Sequence, residues 1–330
     1  MLSVQKSDSH GGASSNQRGV AYWKPIRRFL ALCATVLCLA YFGVEAARYS
    51  DAVMKLRWTW LLVATMSGAL LMQIGCALLD AWSWRWLLKL FEVPTTLRQS
   101  LAVFSMAQAA KYLPGNIAQH VGRVVLARQA GWHSERVILS VLIENLFALG
   151  AGGVLSVSGL MISTGPIDDS RRLIVAAAVM TLGWLVMAIL FRRTLADPPM
   201  FLRKCLTLDA PLPISHRDLV LYLGIHLVSF IFMGCSLILL LWGLAGNCPP
   251  AIWLVPCGVA VAWIAGFVIP GAPAGLGIRE AVLTLFLSPH IEIGVVISAA
   301  LLWRVISLVA DAFLAGVGFS LSRTPGDTPA

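Results

Sequence analysis

The chain has 330 residues, 58% of them hydrophobic and 12% charged, with a mean hydropathy of +0.80 and a formal net charge of +9. A soluble domain carries about 25% charged residues, so this composition describes a polytopic membrane protein and excludes a sizeable soluble domain. The basic excess flanks apolar stretches, where it sets topology and meets anionic lipid, and it implies no nucleic-acid partner.

Residues 1–24 are polar and rich in Gly and Ser, and are expected to be a disordered cytoplasmic terminus. A single transmembrane domain follows over 25–321, then a short disordered tail over 322–330. A spanning helix needs about 20 residues. Six stretches qualify, near 29–46, 58–79, 137–162, 173–191, 218–244 and 293–320. Lys24, Arg27 and Arg28 before the first of them resemble a signal-peptide flank. The apolar run starts too far into the chain for a cleaved leader, and an uncleaved anchor is expected. Trp82, Trp84 and Trp86, with Arg85 and Lys89, read as a cytoplasmic interfacial segment.

Two regions remain, 97–130 and 251–290, and each holds one Pro-Gly. In the first, the arm Leu97–Leu113 carries Arg98, Gln99, Ser105, Gln108 and Lys111. The second arm, Ile117–Ala130, carries Gln119, His120, Arg123 and Arg128. Such arms are too short and too polar to cross alone, so a re-entrant helical hairpin is expected. Gly115 and Asn116 after Pro114 suit its tight turn. The second region is read the same way, because Pro270 and Arg279 repeat Pro114 and Arg123 at an offset of 156 residues.

If the amino terminus is cytoplasmic, 17 Lys and Arg residues fall in cytoplasmic segments and 6 outside, as the positive-inside rule requires. The fold expected is therefore an all-α integral membrane protein with about six spanning helices and two re-entrant hairpins. The halves 29–162 and 173–320 would form an inverted repeat, a plan in which the site lies near the midplane between broken helices. The alternative is chance similarity between two short motifs.

Charges inside apolar segments face the bundle and pair. Glu144, Arg304 and Asp311 form the expected intramembrane network, with Glu144–Arg304 or Asp311–Arg304 as its pairs; they either lock helices or line a path. Arg123 and Arg279 follow helix amino termini, which favour anions, and a guanidinium fork suits phosphate. The other reading is an arginine snorkelling to the interface. Lys111 reads as a second phosphate contact or as a snorkelling side chain. Pro114, Gly115, Asn116, Pro270, Gly275, Gly277 and Glu280 complete the candidate headgroup site. His120 and His226 are lone histidines, and no metal site is expected. The seven cysteines include no CxxC pair, and those in apolar stretches, such as Cys76, Cys235 and Cys257, read as small buried hydrophobes. There is no phosphate-binding G-x-x-x-x-G-K-[ST] loop, no G-x-S-x-G and no H-E-x-x-H, so neither a resident ATPase nor a cofactor is expected.

The stretches KYLPGNIAQHVGR and PAGLGIREAVL resemble the two signature segments of the lysylphosphatidylglycerol synthase transmembrane-region family, the membrane part of multiple peptide resistance factors. The likeness runs over roughly residues 25–320. The usual Pro-Gly-Gly-Leu-Gly-x-Arg-Glu string is kept from Pro273 to Glu280 except that Ala274 replaces a glycine. The frequent Glu-Arg-x-x-Asp after the first hairpin is kept only at Glu144; Asn145 and Ala148 stand at the other positions. The resemblance implies lipid translocation in the bacterial inner membrane, with the soluble aminoacyl-transfer domain absent. The expected partners are a phospholipid or lipid-linked substrate, a second copy of the chain and a separate envelope-lipid synthase. A membrane-embedded glycosyl or acyl transferase, with His120 and Glu280 as its acid and base, and an accessory subunit are the competing readings.

Overall fold

The computed structural model describes residues 58–112, 118–164, 215–249, 252–269 and 273–323, with isolated positions between 178 and 193. The expected span at 29–46, most of that at 173–191, and Pro114, Gly115, Asn116 and Pro270 lie outside the described residues. So do residues 1–24 and most of the tail.

Every described element is helical. Four helices are long and apolar enough to cross a membrane: α1 (Trp60–Leu90), α4 (Ser134–Thr164), α5 (His216–Ala245) and α8 (Ile293–Arg323). At 1.5 Å per residue each is about 45 Å long, enough to pass the ~30 Å hydrocarbon core and reach both headgroup layers. The other four are short: α2 (Leu97–Gln108), α3 (Ala118–Gln129), α6 (Leu254–Val268) and α7 (Ile278–Leu287). They are roughly 15–22 Å long, about half to three-quarters of the core.

Local chemistry sets several boundaries. The Thr59 hydroxyl accepts from the Leu62 amide at the start of α1. Thr96 and Gln99 form a reciprocal capping box before α2, and Ser215 with Asp218 does the same before α5. Gly246 ends α5 at φ 75°, where an L side chain would be strained. Two tight 3-10 turns lie next to the short helices: Ala109–Tyr112 continues α2, and Pro273–Gly275 precedes α7.

α1 packs most extensively on α5. α2 lies against α8 and α6 against α4, so the first short helix of each half is covered by the last long helix of the other half. The contacts of α3 with α2 and α4 match those of α7 with α6 and α8. Exchanging α1–α4 with α5–α8 maps these helix pairings onto one another. Close approaches recur in equivalent places. A Cβ on Gly159 of α4 would lie 2.4 Å from the Cys257 Cβ of α6, and one on Gly318 of α8 would lie 2.9 Å from the Ala102 carbonyl of α2.

The apolar core forms two clusters. One surrounds Trp84, Phe104, Phe147 and Tyr222; the other surrounds Leu237, Val255, Val259 and Leu287. The outer faces stay apolar, with Leu71 and Leu78 of α1, Leu142 and Leu146 of α4, and Val305 and Phe313 of α8 exposed. In a soluble protein such faces would mark docking sites, but on spanning helices they meet acyl chains.

The tryptophan-rich stretch corrects one expectation. The helix that was expected to end at 79 runs on to Leu90, and Trp84 is fully buried, its Nε1 donating to Ser140 Oγ at 3.0 Å. Residues two apart on a helix point about 200° apart, so Trp84 faces inward while Trp82 is exposed. Trp58 and Trp60 are the strongly exposed tryptophans at the end of α1, where an interfacial belt would sit.

Candidate functional site

A polar cavity of about 160 Å³ opens inside the bundle, lined from all of α1 to α8 and from both tight turns. A smaller one of about 60 Å³ adjoins it and shares Gln73, Lys111, Met233, Ala274, Arg279 and Asp311. The two turns meet beside them, Ala109–Tyr112 packing against Pro273–Gly275. Lys111, Arg123, Glu144, Gly275, Arg279 and Asp311 of the expected site all line the larger cavity, while Glu280 and Arg304 line the smaller. Gly277, at φ 79°, turns the chain into α7 and is lined by neither.

One of the two expected pairs is replaced. Glu144 pairs with Arg123 and not Arg304. Asp311 accepts from the Lys111 ammonium at 3.0 and 3.1 Å. Arg304 donates to the Ala274 carbonyl at 3.2 Å and lies 3.9 Å from Glu280. The reason is proximity: α3 packs on α4 and α7 on α8. The first half joins Arg123 of α3 to Glu144 on α4; the second joins Glu280 of α7 to Arg304 on α8, with the signs exchanged.

Arg123 is only 5% exposed, which excludes a side chain snorkelling to the interface. Its guanidinium lies over Phe104, 4.0 Å from the ring centroid, and 5.4 Å from Trp84. Cation–π attraction and a carboxylate therefore already compensate its desolvation.

Arg279 is positioned differently. Its side chain runs through a slot between two glycines. A Cβ on Gly266 would lie 2.7 Å from its Cγ and Nε, and one on Gly275 would lie 2.8 Å from Nε. Gly266 is on α6 and Gly275 is in the turn at φ 70°, so the Gly-rich motif both shapes the turn and makes room for this arginine. Next to it Ala274 adopts φ 52°, a left-handed conformation that costs an L residue roughly 1–2 kcal/mol. The departure from the family's glycine thus falls at a position whose backbone favours glycine.

Two lining residues, Asp80 and Gln73, were not singled out in the sequence. Asp80 accepts from Ser229 Oγ at 2.7 Å and from the Cys76 thiol at 3.8 Å. It escaped notice because the tryptophans and Arg85 placed the end of the span at 79; its carboxylate within apolar sequence was the available signal. Gln73, in the middle of LLMQIGC, gave another. His226 is buried, lines the cavity and packs on Tyr222, with ring centroids 5.4 Å apart. His120 lies within hydrogen-bonding distance of Gln119 (3.2 Å) and Asn145 (3.4 Å). Among the described residues, no three His, Cys, Asp or Glu side chains gather to hold a metal ion.

A membrane bundle with two 3-10 turns in contact beside a polar cavity carries the two motifs that resemble the lysylphosphatidylglycerol synthase family. Comparison with curated proteins returned no match. The family model described as Lysylphosphatidylglycerol synthase TM region matches residues 28–315, and the chain belongs to that family.

Proposed function

We propose that the protein carries a lipid headgroup across the bacterial inner membrane, the acyl chains staying in the bilayer while the headgroup passes through the polar cavity. The observation that carries this reading is the cavity itself, bounded by both tight turns where helices too short to span meet. A headgroup needs such a polar path, since moving charge through hydrocarbon costs several kcal/mol.

The short helix pairs are re-entrant hairpins in this reading. The interchangeable packing of the two halves supports a repeat, and the excess of Lys and Arg in alternate connections favours a cytoplasmic amino terminus and hence an inverted one. Arg279 takes the headgroup phosphate, because its slot holds the guanidinium at the edge of both cavities. Arg123 positions α3 through Glu144. The turns in contact describe a closed path, and translocation requires them to part.

The test is purified protein in vesicles containing a fluorescent phospholipid, with dithionite bleaching the accessible leaflet. Bleaching beyond that of protein-free vesicles supports the reading. Bleaching equal to theirs across anionic, zwitterionic and glycosylated lipids would overturn it. Covalent change of a labelled lipid donor by the same protein would favour the transferase instead.

A further inference from the structure

The ligand's chemistry can be read from which polar groups in the cavity are already satisfied. Its lining includes three basic side chains, Lys111, Arg123 and Arg279, and three acidic ones, Asp80, Glu144 and Asp311. Formal charge therefore cancels. Two of the carboxylates are bound to Arg123 and Lys111. A ligand with several net charges would find no matching excess, whereas one phosphate can be held locally.

The remaining polar lining is neutral. Gln73, Gln108, Gln119 and Asn145 supply carboxamides, and His120 and His226 supply imidazoles. The Gln119 and Asn145 amide nitrogens are already engaged, with His120 and with the Val141 carbonyl, which leaves their carboxamide oxygens for the ligand. Each carboxamide carries both donors and an acceptor, and a neutral imidazole carries one of each. Among the described residues, Gln73 Nε2 and His226 Nε2 are buried without a hydrogen-bond partner. They sit on α1 and α5, the helix pair with the most extensive contact. Leaving such a buried atom unpaired costs about 1–3 kcal/mol, so the site is built for groups that enter it.

Ligand chemistry discriminates here. An ammonium only donates, and a phosphate oxygen only accepts. A hydroxyl does both, and a set of hydroxyls satisfies a wall of carboxamides and imidazoles in any tautomer. Beside this wall, His120 meets the edge of Phe267 at 6.3 Å between centroids, and Phe267 stacks on Trp263 at 5.2 Å. That aromatic run offers an apolar surface to the C–H face of a ring.

We infer that the cavity selects a hydroxyl-rich headgroup bearing a single phosphate, a glycosyl or polyol phosphate ester attached to a lipid. The inference rests on the proposed function for the lipid part alone; the hydroxyl selectivity follows from the lining.

The test has two arms. In the first, calorimetry measures binding of myo-inositol 1-phosphate, glucose 1-phosphate, phosphoethanolamine and inorganic phosphate to the full chain in detergent. The two hydroxylated esters should bind at least about tenfold more tightly than the other two. Gln73→Leu should lose that advantage while leaving phosphate binding and the melting temperature of the unliganded protein undiminished, a combination that a merely structural glutamine would not produce. His226→Phe is the second variant, and the wild-type ranking stands without either. Equal affinity for all four ligands overturns the inference. In the second arm, vesicles carry fluorescent phosphatidylinositol or phosphatidylethanolamine with identical chains. Preferential movement of the inositol lipid supports the lipid source. Equal movement of both overturns the selectivity but leaves translocation standing. Selective binding of the soluble esters with no lipid moved keeps the selectivity and overturns both the lipid source and the proposed function.

Discussion

Lys111 and Asp311, 200 positions apart, are joined by two contacts from one ammonium to both carboxylate oxygens, at 3.1 and 3.0 Å. Lys111 belongs to the 3-10 turn after α2 and Asp311 to α8, so the bridge ties the first short helix of one half to the last helix of the other. Asp311 is nearly buried and Lys111 partly so. Asp311→Asn is expected to cost about 2 kcal/mol, the usual scale for a charged hydrogen bond, read as a lower unfolding midpoint. Exchanging the two residues should recover most of the loss, and a double exchange no better than the single substitutions would contradict the pairing.

The Arg123–Glu144 pair should respond more strongly, because both side chains are buried. Removing one partner leaves an uncompensated charge and costs roughly 3–5 kcal/mol. Arg123→Leu and Glu144→Leu should each destabilise by about that much, and the double substitution by clearly less. Additive losses in denaturant unfolding would rule out the coupling. Arg123→Lys should recover only part, since it loses the planar stack over Phe104.

Glycine substitutions separate the Arg279 slot from general helix effects. Gly266→Ala is expected to displace Arg279 and slow translocation by about tenfold or more, ~1.4 kcal/mol on the barrier. Gly153→Ala is the control: a Cβ there meets nothing within 4 Å, and it should leave both stability and transport intact or slightly raise stability. Transport equally slow in the two variants would remove the slot from the account.

Ala274→Gly should be stabilising by up to about 1 kcal/mol, because it relieves the left-handed backbone and the strain exceeds glycine's entropic cost. A thermal midpoint that falls would contradict the strained turn.

Orientation can be read with native thiols. Cys248, exposed in the connection between α5 and α6, should react with an impermeant maleimide on intact cells. A variant retaining only Cys205, in the expected cytoplasmic stretch 192–217, should not. The reverse pattern would invert the proposed topology.

Much of the fold was legible because length and hydropathy report spans directly: four of the six expected stretches coincide with α1, α4, α5 and α8. Both broken regions were visible from Pro-Gly within polar or arginine-bearing sequence. Partner choice was not legible. Glu144 and Arg304 are attractive in one dimension, but the packing of α3 on α4 and of α7 on α8 within each half brings Arg123 to the first and Glu280 to the second. Trp84 misled because its neighbours Trp82 and Trp86 share a common face opposite its own. Asp80 and Gln73 gave weak signals, since single polar residues in a span say nothing about which cavity they meet.

The most direct measurement is the initial rate of fluorescent-lipid translocation in vesicles reconstituted with wild type and with Arg279→Gln, at matched folded protein. Wild type should bleach well beyond the outer leaflet, and Arg279→Gln should be slower by at least about tenfold, ~1.4 kcal/mol. Wild-type translocation left unchanged in a folded Arg279→Gln protein would contradict it.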